Sequence, residues 1–449
     1  MKNKQRLGRL VAFASSALFL LATGAAISLS LSYAHSGRGS MLSWFAADSV
    51  AGTLTAETLG IGPKNPNPDA AGWILRVSAL SLSELSLEAP NRLVARTPLD
   101  LTGALINTSA KSTATVPWST IVQRASASLP AKRLTIGWVL DSGTADLDTI
   151  MEQSPGLSVL APKWLEVDSP TGTLIGGAEN GVVQKAKQLG IQVWPVVDNG
   201  FNGPMTHQFL AYRDRQDALI NKLVHFTVQS GVAGLNVDFE GLLNEDRWNY
   251  ARFIETLSVA LHKVHKSLSV DLPPDYASGQ NSGPYNHAAL AKAANYIILM
   301  GYDEHWGGDP APGPTASLPW VQSSVTDMLD TGVPADKLIL GVPFYTQDWT
   351  VNKNGEVLNS QALSLWQVRN ILAQYHVKTT WNKGLGLRFG EYTVDGQEHQ
   401  IWVEDNRSLL LTLELVARQH LAGAAAWYLG LEYPSTWLSL VDTVRSTIG

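Results

Sequence analysis

A (β/α)₈ barrel is the fold this 449-residue chain predicts, and three features of residues 131–449 point to it. Eight short apolar segments of strand type alternate with amphipathic segments of helix type. The alternation fills about 310 residues, the size of a barrel domain. The strand segments are nearly continuous in apolar character, as suits a parallel sheet buried on both faces.

The elements follow in order. "RLTIGWVLD" (133–141) reads as the first strand and "GLSVLAPKWLEVD" (156–168) as the second. "ENGVVQKAKQLG" is a helix stopped by Gly190, because glycine takes the left-handed conformation that ends helices. "IQVWPVVDNGF" (191–201) is the third strand, and "RQDALINKLVHFTVQSG" is a helix ended by Gly231. "LNVDFEGL" (235–242) carries the fourth strand, followed by the helix "NEDRWNYARFIETLSVALHKVHKS". "LSVDLPP" (268–274), "NYIILMGYDEHW" (295–306), "KLILGVPFYTQDW" (337–349) and "AGAAAWYLGLE" (422–432) supply strands five to eight. Helices "NHAALAKAA", "PWVQSSVTDMLDTG" and "LLLTLELVARQHL" separate them. Between strands seven and eight lies an insertion over about 350–408, with hairpin signals "NKNGEV" and "TVDGQEHQIWVE". It predicts a small β-rich lobe at one side of the barrel mouth.

Ahead of the barrel the chain changes character. Lys2, Lys4, Arg6 and Arg9 precede a charge-free run from Leu10 to Tyr33. That run reaches the ~20 residues needed to cross a bilayer and exceeds the ~7–15-residue apolar core of a cleavable signal. Residues 1–35 are therefore expected to form a signal-anchor, or a signal peptide cleaved after "SYA" (32–34). Either way the later residues lie outside the cytoplasm. The chain is expected at the membrane, facing the periplasm or exterior, or secreted if cleaved. Residues 36–130, with "GIGPKNPNPDAAG" and "NTSAKSTATVPWST", read as a linker or small β module.

Composition excludes several classes. Hydrophobic residues make up 45% and charged ones 16%, with a net charge of -6 and no basic cluster past the N-terminus. Nucleic acid is not an expected partner. With no cysteine there is no disulfide framework, thiol nucleophile or thiolate zinc site. No metal or cofactor is expected. Tryptophan is abundant, 15 against 10 phenylalanines. Flat apolar rings with a free N–H suit sugar faces as well as cores. Trp138, Trp164, Trp194, Trp306 and Trp349 lie on or just past strands and fit either use. Trp306 and Trp349, past the strand ends, are the better platforms.

Strand residues alternate faces, and barrel sites form at strand C-terminal ends. In the fourth strand Gly234, Asn236, Asp238 and Glu240 then face the barrel interior, while Leu235, Val237 and Phe239 face the helices. Asp238 and Glu240 have Cα atoms ~6.6 Å apart from the strand rise. Two carboxyls so close in a low-dielectric mouth do not ionise independently, and one of them stays protonated as a general acid.

The fourth strand resembles that of glycoside hydrolase family 18, the chitinase-like hydrolases, whose motif is D-G-x-D-x-D-x-E. Here it reads Ala233-Gly234-Leu235-Asn236-Val237-Asp238-Phe239-Glu240, so Ala233 and Asn236 stand where the family has Asp. Met300-Gly301-Tyr302-Asp303 resembles the family's M-x-Y-D, "LGVPFYTQDW" its seventh strand with Tyr345, and "AAWYLG" its last strand with Trp427. The likeness covers roughly 131–440 and is nearest the bacterial branch acting on walls and exopolysaccharides, with an N-x-D-x-E motif.

The resemblance implies hydrolysis of a polysaccharide containing N-acetylated amino sugars: peptidoglycan, poly-N-acetylglucosamine or chitin. It implies Glu240, Asp238 and Tyr302 as catalytic residues, and Asp303, Trp427 and Tyr345 as substrate-binding ones; Asn236, Asp198 and Trp306, by their places on or past the strands, are further substrate-binding candidates. It also implies polysaccharide deacetylases or synthases as partners. Asn236 carries no charge, so Asp238 is expected to ionise more readily than in the family motif. Two other readings stay open. One is a lectin-like member of the same fold, against which Glu240 argues. The other is a two-carboxylate enzyme on a different sugar, whose retaining pairs stand ~5–5.5 Å apart.

Overall fold

The computed structural model describes residues 85–89, 92–95, 133–140, 147–274 and 283–446. The charge-free run 10–33, most of 36–130 and Asp141 lie outside these residues. Two compact units divide the chain, Met1–Arg124 and Ala125–Gly449. In the first, Leu85–Ala89 and Arg92–Ala95 form an antiparallel hairpin. Among the described residues no helix is long and apolar enough to cross a membrane.

The second unit is a closed barrel. Its strands are β1 (Leu134–Val139), β2 (Val159–Val167), β3 (Val196–Asp198), β4 (Gly234–Asp238), β5 (Ser267–Leu272), β6 (Tyr296–Met300), β7 (Leu338–Pro343) and β8 (Gly423–Trp427). Each pairs in parallel with the next, and β8 returns to β1 through Ala425↔Ile136. The helix Arg213–Ser230 ends at Gly231 with φ 71°, the left-handed stop the sequence predicts.

Two predicted strands are shorter than their apolar runs. In the 191–201 segment, Pro195 interrupts the ladder. Gln192–Val193 and Val196–Asp198 pair separately with β2, and the chain turns after Asp198. The 337–349 segment leaves the barrel after Pro343. Tyr345–Val351 instead joins an antiparallel five-stranded sheet with Val357–Ser364, Thr380–Asn382, Leu387–Val394 and Gln397–Val403. The inserted lobe therefore begins several residues earlier than the hairpin signals suggest. Its helix Leu365–Gln374 starts at Ser364 with a reciprocal capping box to Gln367. Asp395-Gly396 makes the hairpin turn with φ of 50° and 79°.

The alternation along β4 fixes what lies inside and outside. Phe239, just past the strand, turns outward and is fully buried against the helical layer. Its ring stacks on Phe253 at 5.8 Å and on Tyr250 at 5.9 Å, with Phe209 edge-on at 6.3 Å. Phe239→Ala is expected to destabilise the barrel by ~3–5 kcal/mol, the range for deleting a buried aromatic ring. Denaturant unfolding of the variant checks this; a loss below ~1 kcal/mol would mean the aromatic cluster collapses around the gap.

Candidate active site

The inward residues of β4 meet two neighbouring strands. The Trp138 indole N–H of β1 donates to Asn236 Oδ1 at 2.9 Å. Asn236 Nδ2 donates to Ser269 Oγ at 3.0 Å and to Asp271 Oδ1 at 2.6 Å, both on β5. Asn236 is 0% exposed, and these bonds use both ends of its amide. This corrects its assignment as a substrate-binding residue: it ties three strands together beneath the mouth.

Asp238 is the next inward residue, buried at 6% exposure, with Oδ1 lacking a hydrogen-bond partner. Glu240 follows at the rim and is partly exposed. Burial pushes both carboxyls up. Glu240 rises to about 7, through desolvation and the charge of Asp303, against the pull of Lys163. Asp238 is held well above the usual carboxylate range by desolvation and then by Asp271 and Glu240. Asp271 itself is pushed up to about 8 by its burial. Asn236 itself adds no charge beside Asp238. The like charge missing from position 236 is supplied across the sheet by Asp271.

Aromatic rings on or just past four barrel strands pack against one another, and Tyr302 among them lies within electrostatic reach of Asp238. Tyr302 after β6 and Trp427 on β8 lie with ring centroids 6.2 Å apart and planes 21° apart. Trp138 meets Trp427 at 5.6 Å and Tyr302 at 6.4 Å, both edge-on. Tyr345 stands edge-on to Tyr302 at 6.4 Å. The Tyr345 hydroxyl donates to Asp303 Oδ1. Asp303 has φ 64°, a left-handed conformation that Asp tolerates better than most residues. Trp427 and Asp303 keep some exposure. Trp306, past β6, is 56% exposed and free to face a sugar.

Other candidates fall elsewhere. Asp198 pairs with Asp238 across β3 and β4 but is fully buried, which removes it from direct substrate contact. Its Oδ1 accepts from Gly200 N at 2.8 Å and its Oδ2 lies 3.5 Å from Lys163 Nζ. Trp349 is not a platform: it is 0% exposed and donates to Gly313 O at 2.8 Å. Trp138, Trp164 and Trp194 are likewise buried. The run Asp303-Glu304-His305 does not converge. Asp303 takes Tyr345, Glu304 accepts from Ser317, and His305 meets Asp309 at 3.1 Å.

The model of the family described as Glycosyl hydrolases family 18 matches residues 184–432, more than half of the chain. The chain belongs to glycosyl hydrolase family 18. It is accordingly a glycoside hydrolase. A relative in Bacillus subtilis (strain 168), described as uncharacterized glycosylase YvbX, is 28% identical over 324 residues, covering 69% of this chain and 91% of that one. The cortical fragment-lytic enzyme of the same organism is 27% identical over 228 residues; the match covers 50% of this chain and 52% of that enzyme. The crystal structure of a chitinase from Chromobacterium violaceum ATCC 12472 shares the fold, with TM-score 0.63 and 24% identity over 70% of this chain and 99% of that one.

Within this family 18 barrel, three side chains that strand motifs do not reveal act on the mouth. Lys163 sits on β2 where the register to β3 slips by one residue, and its Nζ lies 5.4 Å from the Phe201 ring. Such bulges re-aim side chains near sites. Asp271 reaches Asn236, and Asn199, just after β3, reaches the backbone of Glu240. A charged residue inside an otherwise apolar strand, as in "APKWLEVD" and "LSVDLPP", was the available signal for the first two.

Proposed function

We propose that this protein is an exported retaining hydrolase of β-linked N-acetylglucosamine polymers that uses the substrate's own acetamide as nucleophile. One observation carries the reading. Of the two carboxyls at the C-terminal end of β4, Glu240, just past the strand, is partly exposed with its proton held to about pH 7, while Asp238 is buried. An acid with a pKa near the working pH is ready to protonate a leaving group. A buried carboxyl beneath it is poorly placed to attack the anomeric carbon, which disfavours the two-carboxylate scheme.

In this reading Glu240 gives its proton to the glycosidic oxygen as that bond breaks. The acetamide carbonyl oxygen of the same sugar attacks the anomeric carbon and forms an oxazolinium. Asp238 accepts a hydrogen bond from the acetamide N–H and faces the positive charge. The Tyr302 hydroxyl donates to the acetamide oxygen. Water, deprotonated by Glu240, then opens the ring with net retention. Trp427 supports the sugar face, and Trp306 extends the contact outward. The name of the relative called cortical fragment-lytic enzyme supports a cell-wall polymer as substrate.

The acetamide requirement tests the mechanism. Tethered attack carries a large effective molarity, and a fully deacetylated glucosamine polymer has only an amine in its place. Cleavage of N-acetylated oligosaccharides with a first-formed product of retained configuration is expected, with the deacetylated polymer inert. Rapid hydrolysis of that polymer, or an inverted product, sinks the reading. Mass spectrometry and NMR of the products decide between them.

The charge-free run 10–33 behind Lys2, Lys4, Arg6 and Arg9 supports anchoring in the membrane with the barrel outside the cytoplasm. Fractionation of the full chain is expected to place it with membranes. Recovery of a soluble form beginning near His35 shows a cleaved signal instead.

A further inference from the structure

We propose that Asn199 is a positioning residue for the general acid, holding the backbone of Glu240 from both sides in place of a missing strand pair. The inference rests on the reading of Glu240 as that acid. The ladder between β3 and β4 ends at Asp198↔Asp238, two residues short of Glu240. Beyond that point the main chain of Glu240 would lose its neighbour. The Asn199 side chain replaces it. Asn199 Oδ1 accepts from Glu240 N at 3.0 Å, and Asn199 Nδ2 donates to Glu240 O at 2.8 Å.

The amide is itself fixed. Asn199 is fully buried, and its Nδ2 also donates to Thr206 Oγ1 at 2.9 Å. The Thr206 hydroxyl donates in turn to Asn202 O at 2.8 Å. Asn202 caps the helix Gly203–Leu210, accepting from Met205 N at 3.1 Å. That helix start lies against the acid's own loop: a Cβ on Gly203 would stand 1.8 Å from Gly241 O. The carbonyl just before the acid, Phe239 O, accepts from the Tyr285 hydroxyl at 2.9 Å. The peptide groups around Glu240 are therefore clamped by side chains.

The side chain at 199 must donate and accept at one short reach. Asparagine does both; aspartate keeps the acceptor but loses the donor and sets a carboxylate against the Glu240 carbonyl; alanine leaves the N–H and C=O of Glu240 without these partners. A displacement near 1 Å at a reacting group lowers the rate by ~10²-fold. The loss falls on proton delivery, so it depends on how much the leaving group needs a proton.

The test compares two substrates of the full chain: an N-acetylglucosamine oligosaccharide and the dinitrophenyl glycoside of the same oligosaccharide, whose leaving group departs without protonation. Activity on the latter is read as the first, pre-steady-state release of dinitrophenolate, because the later water step needs Glu240 as base with either substrate. Asn199→Asp and Asn199→Ala are expected to lower kcat on the oligosaccharide by ~10²-fold, with KM changed only about threefold, and to keep most activity on the dinitrophenyl glycoside. Thr206→Val, which loosens the amide without removing it, is expected to show a smaller loss with the same selectivity, and it serves if the Asn199 variants unfold. Equal losses on both substrates, or none, overturn the positioning role. Glu240→Gln is assayed alongside. If it loses only the oligosaccharide reaction while the Asn199 variants match wild type, the positioning role alone fails. If it matches wild type on both substrates, the acid assignment fails and the positioning role with it.

Discussion

Replacing Glu240 by glutamine is expected to lower turnover of an N-acetylated glycan by ~10²–10⁴-fold, the usual contribution of a placed general acid. Glutamine keeps the size of the side chain and cannot give up the proton, so binding of the oligosaccharide is expected to stay within a few fold. The wild-type pH profile carries a matching signature. Burial and the charge of Asp303 raise Glu240 to about 7. The acid works in its protonated form, so the basic limb of kcat/KM is expected to fall as pH rises through about 7. Profiles from acid to alkaline pH on one substrate check this. A basic limb in the ordinary carboxylate range near ~4–5, or a variant with more than a tenth of wild-type turnover, rules Glu240 out as the acid.

How far the site was legible follows from where its contacts come from. The barrel could be read because its strands are local apolar runs and its helices end at Gly190 and Gly231, signals contained in short windows. Alternation along β4 separated Phe239 from Asp238 by the same local logic. It reached no further than one strand. Asn236 looks like a substrate ligand until Trp138 of β1 and Asp271 of β5 are seen to occupy its amide. Asp198 looks exposed at a strand end, yet it is fully buried where the chain turns at Asn199–Asn202. Trp349 looks like a platform past β7 because the run "LGVPFYTQDW" hides the switch from barrel to lobe sheet at Phe344. Asn199 carries no sequence signal: an Asn before Gly reads as an ordinary turn. Its role is visible only when residue 240, which is 41 positions away, arrives beside it.

Asp238→Asn is expected to lower kcat on N-acetylated glycans by ~10²–10³-fold, the range for removing one preorganised electrostatic group, with little change in KM. The asparagine still fills the buried site beside Glu240, so the loss reports the missing negative charge opposite the oxazolinium. That charge has to be formed where ionisation is unfavourable. Asp238 is desolvated, and Asp271 on β5 raises it further. Activity that needs ionised Asp238 is therefore lost as pH falls through a value above the ordinary carboxylate range. Asp271→Asn keeps an oxygen to accept from Asn236 and removes the opposing charge. Ionisation of Asp238 becomes easier, and the acid limb of kcat moves to lower pH, with the height of the plateau largely kept. Moving the carboxyl back along β4, in the double variant Asn236→Asp with Asp271→Asn, restores a like charge two residues below Asp238 and is expected to return the limb toward its wild-type position. An acid limb indifferent to all three variants means that Asp238 does not carry the charge that stabilises the intermediate, and a single variant Asp238→Asn with near-normal kcat leads to the same conclusion.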